Sequence, residues 1–184
     1  MVLVVPRLHP EKHVERLLNA ASGVLAERSD ATFLIVGDGK ERASLEKLSV
    51  KLGLERSVIF AGGIDRDELP DVYGVADVFV ALSDRTNAGN PTDEAMMSGL
   101  PVVALDTGGT ADIVRDGENG VLLPVDELPR LAGILLELLA DDDGRRKLGE
   151  AARVDADRRL PTVEERQVME VEAVERAISE RIGK

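Results

Sequence analysis

The sequence predicts an α/β domain: a parallel six-stranded sheet with helices on both faces. Two observations predict it. Short apolar runs rich in Val, Leu and Ile alternate with longer stretches whose apolar residues fall on one helical face. Each run also ends in a polar, proline-bearing or glycine-bearing loop, the punctuation expected between a strand and its crossover helix. Right-handed crossovers then gather the loops after the strands along one edge. The length of 184 residues, 43% of them apolar and 32% charged, suits a soluble chain with one sizeable core.

Met1 to Val5 is the first buried strand, and Arg7 to Lys12 is a loop bounded by prolines. From Glu11 to Ala26, Val14, Leu17, Leu18, Ala21, Val24 and Leu25 share one helical face. Ala31 to Val36 is the second strand. Gly37-Asp38-Gly39 forms a tight turn into a helix from Lys40 to Leu52, ended by Gly53. Val58 to Ala61 is the third strand, Asp67 to Val75 a short helix, and Val78 to Leu82 the fourth strand.

A polar loop follows, then a helix that starts at Asn90-Pro91 and stops at Gly99. Asn suits the cap, Pro the first helical position, Asp93 can reach back to the cap, and Gly99 supplies a left-handed stop before Pro101. Pro101 to Leu105 is the fifth strand and Val121 to Leu123 the sixth. The remainder reads as extra C-terminal helices: Leu128 to Leu139, Arg145 to about Ala156, and a third opened by Thr162 with Glu165 completing a capping box. Asp141 to Asp143 reads as a helix break carrying solvated charge, and Met96 and Met97 as core residues.

Composition excludes several functions. With no cysteine there are no disulfides or thiolate metal sites. No carboxylate cluster accompanies His9 and His13 at metal-ligand spacing, and they read as solvated residues in a loop and helix start. A net charge of −12 opposes a broad basic face for nucleic acid, and 2% aromatics leaves no base-stacking platform. No apolar run is long enough for a transmembrane segment. A local basic pocket remains compatible with this charge. A loop and helix N-terminus at the carboxyl end of a parallel strand, as at Leu82 to Pro91, is where open α/β sheets bind anions.

An ordered series of motifs resembles a known family. Pro6-Arg7-Leu8-His9-Pro10-Glu11-Lys12-His13 follows the first strand, and Gly37-Asp38-Gly39 the second. Val58 to Gly62, then Leu69 to Tyr73 with Ala76 to Val80, come next. Glu94 to Ala104 and Gly108 to Gly120 complete the series. In this order they resemble the C-terminal, donor-binding domain of GT-B glycosyltransferases of family 4, also called group 1, from Val2 to about Ala152. The resemblance implies a three-layer Rossmann-like domain, one half of a GT-B fold, over 1–160. It implies a terminal helix over 161–184 that crosses to an N-terminal acceptor domain missing from this chain.

The resemblance also implies roles. Arg7 and Lys12 match the pair that holds the donor diphosphate, where two cations can stabilise a departing nucleoside diphosphate without a metal. Glu94 matches the carboxylate that takes the ribose hydroxyls. Thr86, Asn87, Ala88, Gly89 and Asn90 match the segment lying against the sugar and distal phosphate, and Gly37 and Gly39 let the chain approach the ligand closely. The implied substrate is a nucleoside diphosphate sugar, a UDP- or GDP-sugar, with no separate cofactor. The implied reaction is retaining, and the implied location is cytoplasmic, with any membrane contact made through the missing domain.

Two departures keep other readings open. The family pairs Glu94 with an earlier glutamate, whose place is held here by Thr86. Either the Thr86 hydroxyl replaces it, or Asp84 reaches the same space, or activity on the usual sugars is lost. His13 and Pro6 also replace family glycines. The alternatives are a non-catalytic nucleotide-binding or interaction module of the same fold, and half of a GT-B sugar-nucleotide epimerase. An incomplete dinucleotide fingerprint after Gly37 weighs against a dehydrogenase.

Overall fold

The computed structural model describes residues 1–84, 90–161, 165, 167, 168, 170–174 and 178, with the side chain of Asn90 left out. Six strands, β1 (Val2–Val4), β2 (Phe33–Val36), β3 (Val58–Gly62), β4 (Val78–Ala81), β5 (Val102–Leu105) and β6 (Gly120–Leu123), form one sheet. All pairings are parallel, in the order β3-β2-β1-β4-β5-β6. Val2 lies opposite Phe33 on one side and Val78 on the other. The strand order therefore reverses between β1 and β4, and the crevice outside their carboxyl ends is the switch point where such sheets bind ligands.

Alternation along the strands divides the core into two layers. Val2, Val4, Phe33, Ile35, Val80, Val103 and Leu105 face α1 (Val14–Glu27), α2 (Arg42–Lys51) and α5 (Leu131–Ala140). Leu3, Phe79, Val102 and Ala104 face α3 (Leu69–Gly74), α4 (Asn90–Met97) and α6 (Asp142–Arg159). The central strands are fully buried, which is why they read as unbroken apolar runs.

Several boundaries differ from the sequence reading for local reasons. The first helix begins at Val14, because Pro10–Lys12 forms a separate 3-10 turn and His13 breaks the path at φ 49°. The helix expected from Leu128 begins at Leu131, since Pro129 holds the preceding turn in 3-10 geometry. The acidic run at Asp141 to Asp143 breaks the helix and stays exposed as expected, but α6 starts at Asp142 instead of Arg145. The Asp141 side chain accepts from the Gly144 amide at 2.9 Å, and Asp142 and Asp143 occupy the dipole-favoured first turn. Met96 is fully buried as expected, but Met97 is 48% exposed. Thr86, Asn87, Ala88 and Gly89, expected to lie against the sugar, and the helix start at Thr162 fall outside the described residues.

Candidate donor site

The site begins with two loops that lace together. After β1 the chain passes through Pro6, Arg7 and Leu8, and the Leu8 amide donates to the Asp38 carbonyl at 2.9 Å. The Glu41 amide returns to the Leu8 carbonyl at 3.1 Å. This lacing needs glycine at both ends of Gly37-Asp38-Gly39. A Cβ on Gly37 would overlap the Pro6 carbonyl, and one on Gly39 would overlap the Leu8 carbonyl. Leu8 is fully buried and pins the loop, while Arg7 beside it is exposed.

Arg7, Lys12, Gly37 and Asp38 line one wall of a cleft of about 410 Å³ at the switch point. Gly63, Ile64 and Leu69 line it from the β3 side, and Ser83, Pro91 and Thr92 from the end of β4 and the first turn of α4. Neither the Arg7 nor the Lys12 side chain pairs with a described residue. In a chain of net charge −12, two cations on one cleft wall, unpaired among the described residues, form a local anion site. The positive end of the α4 dipole adds to this potential.

Glu94 stands in an adjoining pocket of about 250 Å³ lined by Arg66, Leu69, Pro70, Tyr73, Met97 and Ser98. Leu69 belongs to both cavities, so the two adjoin. The Tyr73 hydroxyl donates to Glu94 Oε2 at 2.9 Å, fixing one carboxylate oxygen. The other makes no hydrogen bond to a described residue.

Burial first, then the Glu94 charge and their hydrogen bond, push the Tyr73 phenol above its ordinary range. A raised folded-state value stabilises the fold fully below the ordinary tyrosine range of about 10, and that contribution is lost as pH rises beyond it. Tyr73 is the chain's one tyrosine. Its absorbance titration should show no phenolate near pH 10 while the fold persists, with ionisation accompanying alkaline unfolding. A simple titration near pH 10 in folded protein would argue against the buried Tyr73–Glu94 contact.

The chain leaving β4 is tied down from three directions. The Ser83 hydroxyl donates to the Glu11 carbonyl at 2.9 Å, and the Thr107 hydroxyl donates to the Ser83 carbonyl at 2.8 Å. Arg16 donates to the Leu82 carbonyl at 3.0 Å and to both Asp84 oxygens at 2.5 and 3.1 Å. His13 adds its Nε2 to Asp84 at 2.9 Å. Arg16 hydrogen bonding, ahead of the other contributions, lowers the Asp84 carboxyl below its usual range. Asp84 is thus paired with His13 and Arg16 at the start of α1. His13 stands at the helix start, as the N-cap of α1. It adopts a left-handed backbone, and its two ring nitrogens contact Glu15 and Asp84, each at 2.9 Å.

The fold therefore brings Arg7, Lys12 and Gly37 to one cleft and Glu94 to its neighbour. Gly39 serves the packing of the two loops and does not line the cleft. Asn90 opens α4 beside Pro91. Sequence reasoning missed Tyr73 as the partner of Glu94. Its signal was a lone tyrosine on a short apolar helix, since a buried phenol requires a hydrogen-bond acceptor. Among the described residues no group of three or more His, Asp or Glu could hold a metal, and no helix is long and apolar enough to cross a membrane.

Comparison with known proteins agrees with this geometry. The sequence profile described as "Glycosyl transferases group 1" matches residues 1–155. A GDP-mannose-dependent alpha-mannosyltransferase of Mycolicibacterium smegmatis is 39% identical over 150 residues, which are 81% of this chain and 36% of that protein. An alpha-D-kanosaminyltransferase of Streptomyces kanamyceticus is 32% identical over 152 residues, 83% of this chain and 39% of the relative.

Among solved structures, Anabaena HepE in complex with UDP-glucose superposes with a TM-score of 0.82 at 28% identity, covering 94% of this chain and 48% of HepE. The C-terminal domain of a group 1 family protein, LpcC, from Francisella tularensis superposes at 0.76 with 26% identity, covering 85% of this chain and 84% of that domain. The chain spans less than half the length of the curated relatives it matches. Its fold superposes on a solved C-terminal domain of a group 1 protein, and the chain belongs to the group 1 glycosyltransferase family, built on the GT-B fold.

Proposed function

We propose that this chain is the donor-binding half of a retaining, metal-independent glycosyltransferase that uses a nucleoside diphosphate sugar. The observation that carries the reading is the pair of cations, Arg7 and Lys12, unpaired among the described residues, beside the first turn of α4 and next to the Glu94 pocket. In this reading the nucleotide spans both cavities. Glu94 takes the ribose diol, and Arg7 and Lys12 take the diphosphate. As the bond between the anomeric carbon and the diphosphate oxygen breaks, the electron pair leaves with the diphosphate. Two cations on the loop beside that oxygen stabilise the charge as it develops. Thr86 and the segment from Asn87 to Asn90 face the sugar.

The donor is a UDP- or GDP-sugar. Support comes from GDP-mannose-dependent relatives and from HepE with UDP-glucose. Residues 1–160 form the donor domain, and 161–184 form a helix that crosses to an acceptor-binding domain. Val168, Val171, Val174 and Ile178, all more than half exposed and at near-helical spacing, support an apolar face that such a domain would cover. The enzyme works in the cytoplasm, with any membrane contact made through the acceptor domain.

The test is calorimetric titration with UDP and GDP and their 2′-deoxy forms. The parent chain should prefer the ribose form, and Glu94→Ala should remove that preference, a loss of roughly 10- to 100-fold for a hydrogen bond to a charged group. Equal discrimination in parent and variant would end the assignment of Glu94.

A further inference from the structure

The helix that carries Glu94 is held at both ends by α6. At its far end Gly149 packs directly on the Gly99 carbonyl, where a Cβ would overlap. At its near end Arg159, in the last turn of α6, donates to Asp93 Oδ1 at 2.7 Å. Asp93 is the residue immediately before Glu94, and its side chain is only 14% exposed. The same guanidinium lies 3.7 Å from Asp155, which in turn accepts from Arg115 at 2.7 Å. A poorly solvated carboxylate next to Glu94, on the edge of a site for an anionic ligand, would oppose binding if it were unpaired.

We propose that Arg159 and Asp93 form a positioning pair for the donor site. The pair neutralises Asp93 and fixes the first turn of α4, so that Glu94 keeps one oxygen on Tyr73 and the other free for the ribose. This inference rests on the ribose assignment of Glu94. It makes α6, which follows the last strand of the sheet, part of the binding machinery and not only a packing element. Arg159 touches no substrate in this account and acts through Asp93 and the helix.

The test compares the parent chain with Arg159→Gln and with the Arg159→Gln/Asp93→Asn double variant. Affinities for UDP, GDP and their 2′-deoxy forms are measured, with the 13Cζ resonance of the single tyrosine. Arg159→Gln should weaken diphosphate binding about 10-fold, shrink the ribose preference and shift the Tyr73 resonance. The double variant, whose two neutral amides can hydrogen-bond, should recover most of all three. Should Arg159→Gln not fold, Arg159→Lys, which keeps the charge but loses the planar donor geometry, carries the comparison with a smaller loss in the same direction. A lowered Tm with ribose preference and Tyr73 resonance both at parent values would overturn the proposal and leave the pair a structural contact. Glu94→Ala is run alongside. If it leaves ribose preference intact, the ribose assignment fails on its own, and the Tyr73 resonance still decides whether Arg159 positions Glu94.

Discussion

Replacing both Arg7 and Lys12 by alanine is expected to lower affinity for the nucleoside diphosphate by at least roughly 100-fold, on the basis of about 1.5–3 kcal/mol for each hydrogen bond to a charged partner. Each single replacement should cost roughly 10-fold or more. Neither cation is paired with a described residue, so removing it leaves no buried carboxylate uncompensated, and the fold should be almost unaffected. Calorimetry gives the affinity and a thermal melt gives the stability. The two cations should also make parent binding weaken with salt, and the double variant should lose most of that dependence. Full affinity in the double variant would place the anion elsewhere.

Gly37→Ala should have the largest effect on stability, about 3 kcal/mol or more, because the new methyl meets backbone and not a side chain that can swing aside. Gly37 sits at φ 144°, and its Cβ position is filled by the Pro6 carbonyl. Relief would require moving the loop that carries Arg7, so diphosphate affinity should fall with stability. Denaturant unfolding and titration on the same sample check both parts. By contrast, Gly53 at φ 72° has nothing within reach of a Cβ, so Gly53→Ala should show only the smaller left-handed backbone cost of about 1–2 kcal/mol. A Gly37→Ala chain as stable as its parent would mean the two loops are not laced as described.

Much of the fold was legible because its determinants are local and periodic. The central strands are buried on both faces, so Val78 to Leu82 and Pro101 to Leu105 appear as plain apolar runs. The glycines at 37, 53 and 99 mark real turns and helix ends. Boundaries set by tertiary contact were less visible. Nothing in Glu11 to Val14 announces that His13 will turn left-handed, because the contacts that accompany that turn come from Glu15 and from Asp84, across the sheet edge. The role of Asp141 as a cap was obscured by the two acids after it.

The site divides in the same way. Arg7, Lys12 and Glu94 were identified through the ordered motifs, and the fold places them in adjoining cavities. Tyr73, Arg16 and Arg159 were missed because each acts on a partner distant in sequence. Arg16 reaches Asp84 and Arg159 reaches Asp93 across dozens of residues, a pairing that no local pattern encodes.

The central claim is that one nucleotide spans the Arg7–Lys12 cleft and the Glu94 pocket. The most direct measurement is an NMR titration of the 13Cζ-tyrosine-labelled chain with UDP and with GDP, reading the single Tyr73 resonance. The account predicts that one diphosphate shifts this resonance to saturation, with the calorimetric affinity, and that the Arg7→Ala/Lys12→Ala chain shows no shift at the same concentrations. A diphosphate that binds by calorimetry while the Tyr73 resonance stays fixed would contradict it, by showing that the ligand does not reach Glu94.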